Sequence, residues 1–541
     1  MGDACTPDFV SVSENGTHFE LNGAPFFFGG CNTYYMMTRA ADPGLRHEVT
    51  EVLDAAQKAK LSVVRTWAFC DGPEWNALQP EAGMFDERVF ASLDWVIAQA
   101  KARGIRLCMP LVNYWPAYGG IPQYIRWSCQ RRGVDESGDP EAFYEDRCCQ
   151  DIFQNFLATI TSRVNTITGI AYRDEPTIMA WELMNEPRCP GDFSASKLQH
   201  WIERTGEFLK SVDPNHLVAV GSEGFFGSST PEFLPDNPYD TLSEGCDFAR
   251  NHMPDCIDFA TIHLWPDTWL AGAGGQQCGE EGALRFARRW INAHVDCCAR
   301  LGKPLVLTEF GKKPAGPLRA AFYQKVYERV VTHARAGHFM GGACFWCLTA
   351  AGYPDYDGFK VSFQQQGSQS SYWAEPKQKA GQRAGTSMPG AGGKSSAPMQ
   401  QEQGRDFLHN SASNSEAAPG KHTRQSSIRA TEPRDPRTEP ASLFGSSSTP
   451  GADNAASAIC RPAPASTHGA QHLSSSIMLR RVSSRTEGNV EAAAALVDQE
   501  GAQCELQAAC LGAETALLIK QHAAAMHELS QQAASKGCHV M

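Results

Sequence analysis

Ile178-Met179-Ala180-Trp181-Glu182-Leu183 is a short apolar run that leads directly into Asn185-Glu186-Pro187. A run of this length reads as a buried strand, and it delivers a carboxylate close to its C-terminal end. The pattern recurs along the first 360 residues. Phe26 to Gly30, Ser62 to Trp67 and Ile105 to Pro110 precede it; Leu217 to Val220, Phe259 to His263, Leu305 to Thr308 and Ala343 to Trp346 follow. Between these runs lie stretches such as Val49 to Lys60, Phe90 to Ala102 and Lys197 to Val212, with apolar residues three and four apart. That spacing predicts amphipathic helices.

Strands alternating with helices imply parallel pairing through right-handed crossovers. Eight such units in about 340 residues fit a closed (β/α)8 barrel better than an open sheet. An open doubly wound sheet calls for a glycine-rich phosphate loop, but Gly29-Gly30 runs into Cys31-Asn32-Thr33 without the further glycine spacing. The predicted fold is therefore an α/β, (β/α)8 TIM barrel over residues 1–362, followed by a long, mostly disordered C-terminal tail. Eleven of the twelve tryptophans precede residue 360. Beyond it the chain turns to Gln, Ser, Gly, Ala and Pro, a composition that cannot bury enough apolar surface to offset its ordering entropy. Residues 363–486 read as a low-complexity linker. Residues 487–541, rich in Ala, Glu, Gln and Leu, read as a helical tail, with a weak protein contact as its conceivable role.

Other functions are excluded on composition. Of the 541 residues, 48 are Lys or Arg and 60 are Asp or Glu, a formal charge of −12 that argues against a nucleic-acid partner. No apolar run is long enough to span a membrane, and the N-terminal residues lack the pattern of a signal peptide. Nineteen cysteines show no paired metal framework, and Cys344-Phe345-Trp346-Cys347 sits in an apolar run that favours buried thiols.

Catalytic side chains of a barrel project from the C-terminal ends of its strands. Two predicted strands end in glutamate: the fourth at Glu186, the seventh at Glu309. Each alone could be a surface charge or a helix cap. Their company argues otherwise, because other strand ends carry Arg65, His263 with Trp265, and Trp346. Paired carboxylates with tryptophan around them point to glycosidic bond cleavage, in which one protonates the leaving oxygen and the other attacks the anomeric carbon or activates water. Trp67, Trp115 and Trp346 are candidate sugar platforms, although each taken singly is more often a core residue.

From about Phe9 to Phe359 the chain resembles the plant-type endo-β-1,4-mannanases of glycoside hydrolase family 5. The resemblance is carried by Asn22-Gly23-Ala24-Pro25-Phe26, Arg65-Thr66-Trp67-Ala68-Phe69, Tyr118-Gly119-Gly120, Pro176 through Cys189, and Thr308-Glu309-Phe310-Gly311. It implies an endo-acting, retaining hydrolase with Glu186 as general acid/base and Glu309 as nucleophile. Asn185 would hold the sugar 2-hydroxyl, and Arg65 would keep Glu309 ionised. The Glu309 charge would hold Glu186 protonated. Trp67, His263, Trp265 and Trp346 complete the implied substrate-binding set. His263-Leu264-Trp265 departs from the family's usual His-x-Tyr, whose hydroxyl bonds the nucleophile; an indole can donate but not accept.

The resemblance implies a mannan-type polysaccharide as partner and no metal or organic cofactor. It also implies an extracellular site of action, to which Asn15-Gly16-Thr17, a glycosylation sequon, adds support. The competing readings are a sibling β-1,4-glucanase, a mannan transglycosylase, and a silent polysaccharide-binding barrel.

Overall fold

A computed structural model describes residues 9–136, 138–271, 279–363 and 513–535. Three short strands open it, β1 (Val10–Val12), β2 (Phe19–Leu21) and β3 (Ala24–Phe26), paired antiparallel in sequence order. Asn22 and Gly23 both hold positive φ, 56° and 72°, as a tight two-residue hairpin turn demands. Eight parallel strands follow: β4 (Phe28–Asn32), β5 (Val63–Arg65), β6 (Arg106–Pro110), β7 (Ile178–Glu182), β8 (Leu217–Ala219), β9 (Ala260–Leu264), β10 (Leu305–Phe310) and β11 (Met340–Phe345). Each pairs with its sequence neighbour, β11 returns to β4, and a bridge from Ala219 to Phe259 links β8 to β9. The cylinder is closed. All eight expected strands are present; the first expected run divides at Phe27, its start belonging to the hairpin and its end to the barrel.

Two apolar cores result. Residues of the N-terminal hairpin, Val10 and Phe19, pack on Phe28, Met179, Leu217, Phe259 and Val306 to plug one end of the barrel. The chain must pass very close there: a Cβ on Gly341 would lie 2.4 Å from the Phe19 ring, so only glycine fits. The larger core lies between the strands and the surrounding helices. Helices Arg46–Lys58, Glu87–Lys101, Ser196–Val212, Glu280–Leu301 and Pro317–Arg335 each turn an apolar stripe inward. Asp86 caps the second of these by accepting from the Arg88 amide, and Gly302 ends the fourth in a left-handed turn.

The last helix of the barrel comes from the far end of the chain. Helix 513–535 buries Ile519, Ala523 and Met526, spaced four and three apart, against the barrel wall. Ala523 covers Gly29 of β4, where an added Cβ would lie 3.0 Å from the Ala523 Cα. The His522 ring stacks on Tyr327 of the preceding helix at 3.9 Å and 14°. The Phe27 amide donates to Ser530 Oγ at 2.9 Å, and Lys520 sits over the Phe363 ring. These contacts put the segment beside both the first strand and helix Pro317–Arg335, where a (β/α)8 barrel needs its eighth helix. Of the expected helical tail, 487–541, residues 513–535 are described and helical, and this helix lays its apolar stripe on the barrel wall. The expected linker over 363–486 falls, from residue 364 on, outside the described residues, as does the start of the tail.

Thirteen cysteines are free thiols among the described residues, Cys344 and Cys347 among the buried ones. Among the described residues no helix is long and apolar enough to cross a membrane.

Candidate active site

The strand ends bring together the residues that the sequence scatters. Arg65, wholly buried at the end of β5, is the hub. It donates through Nη1 to Glu309 Oε1, in a very short contact, and to Asn32 Oδ1 at 3.1 Å. Through Nε and Nη2 it grips Glu182 (Nη2 to Oε2 2.7 Å), and Nη2 also reaches Asn185 Oδ1 at 2.7 Å. One guanidinium therefore bridges two buried carboxylates and two amides, which is what its planar fork allows.

The second hub is His263, at the end of β9. Its Nδ1 lies 2.7 Å from Glu186 Oε1 and 3.5 Å from Glu309 Oε2. One oxygen of each glutamate and a ring nitrogen of His263 all fall within 4.8 Å of one another. Trp115 Nε1 donates to the other Glu186 oxygen at 2.6 Å. Glu186 itself is held in the left-handed region, φ 53°, a conformation that costs a non-glycine residue about 1–3 kcal/mol. Flanking backbone bonds, Glu186 N to Gly221 O and Asn185 N to Val112 O, at 2.9 and 2.8 Å, secure the turn that aims it into the cleft.

Burial dominates the electrostatics. It pushes the Glu309 carboxyl above its ordinary range, with His263 and Arg65 working against that shift and Glu186 and Glu182 adding to it. Arg65 thus acts in the expected direction without outweighing burial. Burial disfavours a charged His263, yet the Glu309 and Glu186 carboxylates beside the ring outweigh it and raise its pKa. Glu186, His263 and Glu309 are near enough together to ligate a cation, but Arg65 already brings a fixed positive charge to Glu309.

The aromatic residues divide. Trp346 donates from Nε1 to Asp357 Oδ2 at 2.7 Å, and its ring lies parallel to Tyr34, 5.2 Å away with 2° between the planes. Trp265 meets Trp346 edge-on at 6.3 Å and Phe359 at 5.0 Å. Trp67 packs among Tyr34, Phe69 and Tyr118, each 5.1 Å from it. Among the described residues the charged partners of Glu309 are Arg65 and His263.

Sequence reading missed Glu182, Asn32, Tyr34 and the pair Arg188–Glu223. Glu182 had a signal of its own, since a carboxylate inside an apolar strand must find a buried partner. Arg188 binds Glu223 through two nitrogens, at 2.6 and 2.8 Å, and its guanidinium lies 5.2 Å from the Trp115 ring. It thereby backs the indole that holds Glu186.

A closed eight-stranded barrel carrying two adjoining carboxylates at its strand ends is the architecture of a glycoside hydrolase. The family model described as GH family 5 beta-mannosidase-like matches residues 7–368, and the chain belongs to that family. Among curated relatives, mannan endo-1,4-beta-mannosidase 5 of Solanum lycopersicum is 43% identical over 360 residues, 65% of this chain and 84% of that protein. Mannan endo-1,4-beta-mannosidase 1 of the same species is 45% identical over 351 residues, 64% of this chain and 85% of its own length. Among solved structures, the hyperthermostable endo-1,4-beta-D-mannanase of Thermotoga petrophila is 34% identical, with a TM-score of 0.55 over 62% of this chain and 95% of that one.

Proposed function

We propose that this protein hydrolyses internal β-1,4-mannosidic bonds of mannan, galactomannan or glucomannan with retention of anomeric configuration. The observation that carries the reading is the Glu186–His263–Glu309 cluster, in which one oxygen of each carboxylate lies within 4.8 Å of the other. A retaining pair stands about 5–5.5 Å apart, whereas an inverting pair needs about 6.5–9.5 Å to admit water. The substrate class follows from family membership and from the relatives' named activity.

In the first step the Glu309 carboxylate attacks the anomeric carbon while Glu186 gives its proton to the departing oxygen. The glycosyl–Glu309 ester forms as the glycosidic bond breaks. Esterification removes the Glu309 charge, so Glu186 can next take a proton from water as that water attacks the same carbon and releases Glu309. Asn185 spends Oδ1 on Arg65 and one Nδ2 hydrogen on Asn113 Oδ1, at 3.0 Å, which leaves a second amide hydrogen for the 2-hydroxyl. Trp346, parallel to Tyr34 and edge-on to Trp265, offers the aromatic wall for the reacting sugar. The cluster needs no cofactor for this chemistry. Its place of action is outside the cell, where such polysaccharides lie; the exposed turn carrying Asn15 suits a glycosylated surface.

The test is product analysis of the full chain, wild type and Glu309→Ala, with mannohexaose, galactomannan, glucomannan and a β-1,4-glucan. Short manno-oligosaccharides from wild type alone support the proposal, and a β-anomer appearing first in the NMR spectrum supports retention. Cleavage of glucan alone moves the protein to a sibling activity, longer oligomers to transglycosylation, and binding without cleavage to a silent barrel.

A further inference from the structure

We propose that His333 and His338 form a binding site for a borderline divalent cation of the zinc class, at the barrel end opposite the catalytic cluster. His333 lies in the last turn of helix Pro317–Arg335, and His338 lies just before β11. The link between them is a helix-ending turn of fixed shape. Gly337 takes the left-handed conformation, φ 71°, which glycine adopts without strain. Its amide donates to Ala334 O at 3.1 Å, and the His338 amide donates to His333 O at 3.0 Å. Those two bonds close a Schellman cap, which brings its first and last residues side by side, commonly in an apolar contact. Here both positions carry imidazoles.

The two rings face each other through one nitrogen each. His333 Nδ1 and His338 Nδ1 are 3.5 Å apart, with 47° between the ring planes. A tetrahedral cation bonded to two imidazoles at about 2.0–2.1 Å holds their nitrogens about 3.3–3.4 Å apart. The pair therefore needs only a slight approach to ligate one. The lone pair is also on the right atom. His333 Nε2 lies 2.9 Å from Asn292 Oδ1 on helix Glu280–Leu301. A carbonyl oxygen only accepts, so Nε2 carries the proton and Nδ1 is left to bind. Donation from the far ring nitrogen to such an acceptor is the support that metal-binding histidines ordinarily have.

A histidine at a helix C-terminus often serves as a cation facing the helix dipole. His333 does not. Burial, helped by the neighbouring Arg329 and His338, pushes its pKa down to about 4, against the opposing pull of Asp296. At neutral pH the ring is uncharged, the form in which imidazole binds a metal. Imidazole suits zinc, copper and nickel ions, whereas magnesium and calcium prefer oxygen ligands. Among the described residues no third His, Cys, Asp or Glu ligand atom closes on the pair, so water completes the coordination. The bound cation joins the end of helix Pro317–Arg335 to the start of β11, on the face of the barrel that serves stability rather than catalysis.

Zinc chloride added to the full chain tests this in wild type, His338→Ala, Asn292→Ala and His200→Ala. Glu186, His263 and Glu309 lie close enough together to take the same ion, so the readouts are stoichiometry and local protection rather than activity. In calorimetry, wild type should bind one equivalent more than His338→Ala. Zinc should slow amide exchange across Ala334 to Met340 in wild type and leave it unchanged in His338→Ala. His338 is exposed and the bond from its amide to His333 survives the substitution, so the cap and the fold should persist. Asn292→Ala removes the support of His333 and should weaken this one site about 10–100-fold. His200→Ala, which removes a single exposed histidine from helix Ser196–Val212, should bind as wild type does. Equal zinc stoichiometry in wild type and His338→Ala, with exchange over 334–340 indifferent to zinc, overturns the proposal and leaves the mannan reading untouched.

Discussion

Replacing Ile519 by alanine should release helix 513–535 from the barrel. Ile519 is fully buried and belongs to the core cluster between strands and helices, although 149 residues, 364–512, separate its helix from the rest of that cluster. Truncating a buried isoleucine costs about 2–5 kcal/mol, because the lost transfer energy adds to that of the cavity left behind. At about 1.4 kcal/mol per factor of ten, the undocked population should rise from about 30-fold to a few thousand-fold. Amide hydrogen exchange reads this directly: protection across 513–535 should drop by that factor, with a smaller loss in Phe27 to Gly29 and around Tyr327. Leu517→Ala is the control, since Leu517 is 55% exposed and its truncation should shift protection by less than about 0.5 kcal/mol. Acid should mimic the mutation. His522 is held neutral by burial, its pKa lowered to about 3 from an ordinary 6.5. Between those values the undocked helix binds more protons than the docked one, so docking is at full strength above pH 6.5 and weakens as pH falls. The loss at pH 4.5 is on the order of 2–3 kcal/mol, and His522→Phe should abolish it. Wild-type protein in which 513–535 exchanges as fast as a free peptide, or Ile519→Ala indistinguishable from Leu517→Ala, would refute the assignment of this segment as the eighth helix.

Other outcomes follow from the same contacts. Gly29→Ala should cost about 1–3 kcal/mol, seen as a lower urea midpoint, because its new methyl meets the Ala523 backbone on a closely packed face. Arg65→Lys keeps a charge but loses the fork that holds Glu182, Glu309 and Asn185. It should lower kcat/KM about 10²-fold, and, with the cation nearest the nucleophile weakened, move the acid limb of the pH profile upward. Glu186→Gln should lower mannan hydrolysis by about 10²–10⁴-fold. The first step should be largely spared on an aryl mannoside whose leaving group needs no proton, so a burst of phenol should precede a slow steady state. Should Arg65→Lys instead leave the acid limb where it is, burial would govern Glu309 without help from this cation.

The sequence alone determined the local elements and the reactive groups. Each strand is a short apolar run and each helix a periodic one, and both signals reside within a dozen neighbouring residues. Asn185-Glu186-Pro187 and Thr308-Glu309 announced themselves because a carboxylate following such a run has to face a polar site. Tertiary structure alone decided which groups meet. Arg65 and Glu309 are 244 positions apart, yet one guanidinium joins Glu309 to Glu182. The imidazole between the two glutamates was legible only as a strand-end histidine. Helix 513–535 shows the limit most clearly: its apolar stripe reads as amphipathic, but a stripe names no partner. The partner is an uncovered wall between β4 and helix Pro317–Arg335, which comes into being only when the eight strands have closed. Periodicity is a property of neighbours along the chain, whereas closure of a barrel is a property of all its strands together.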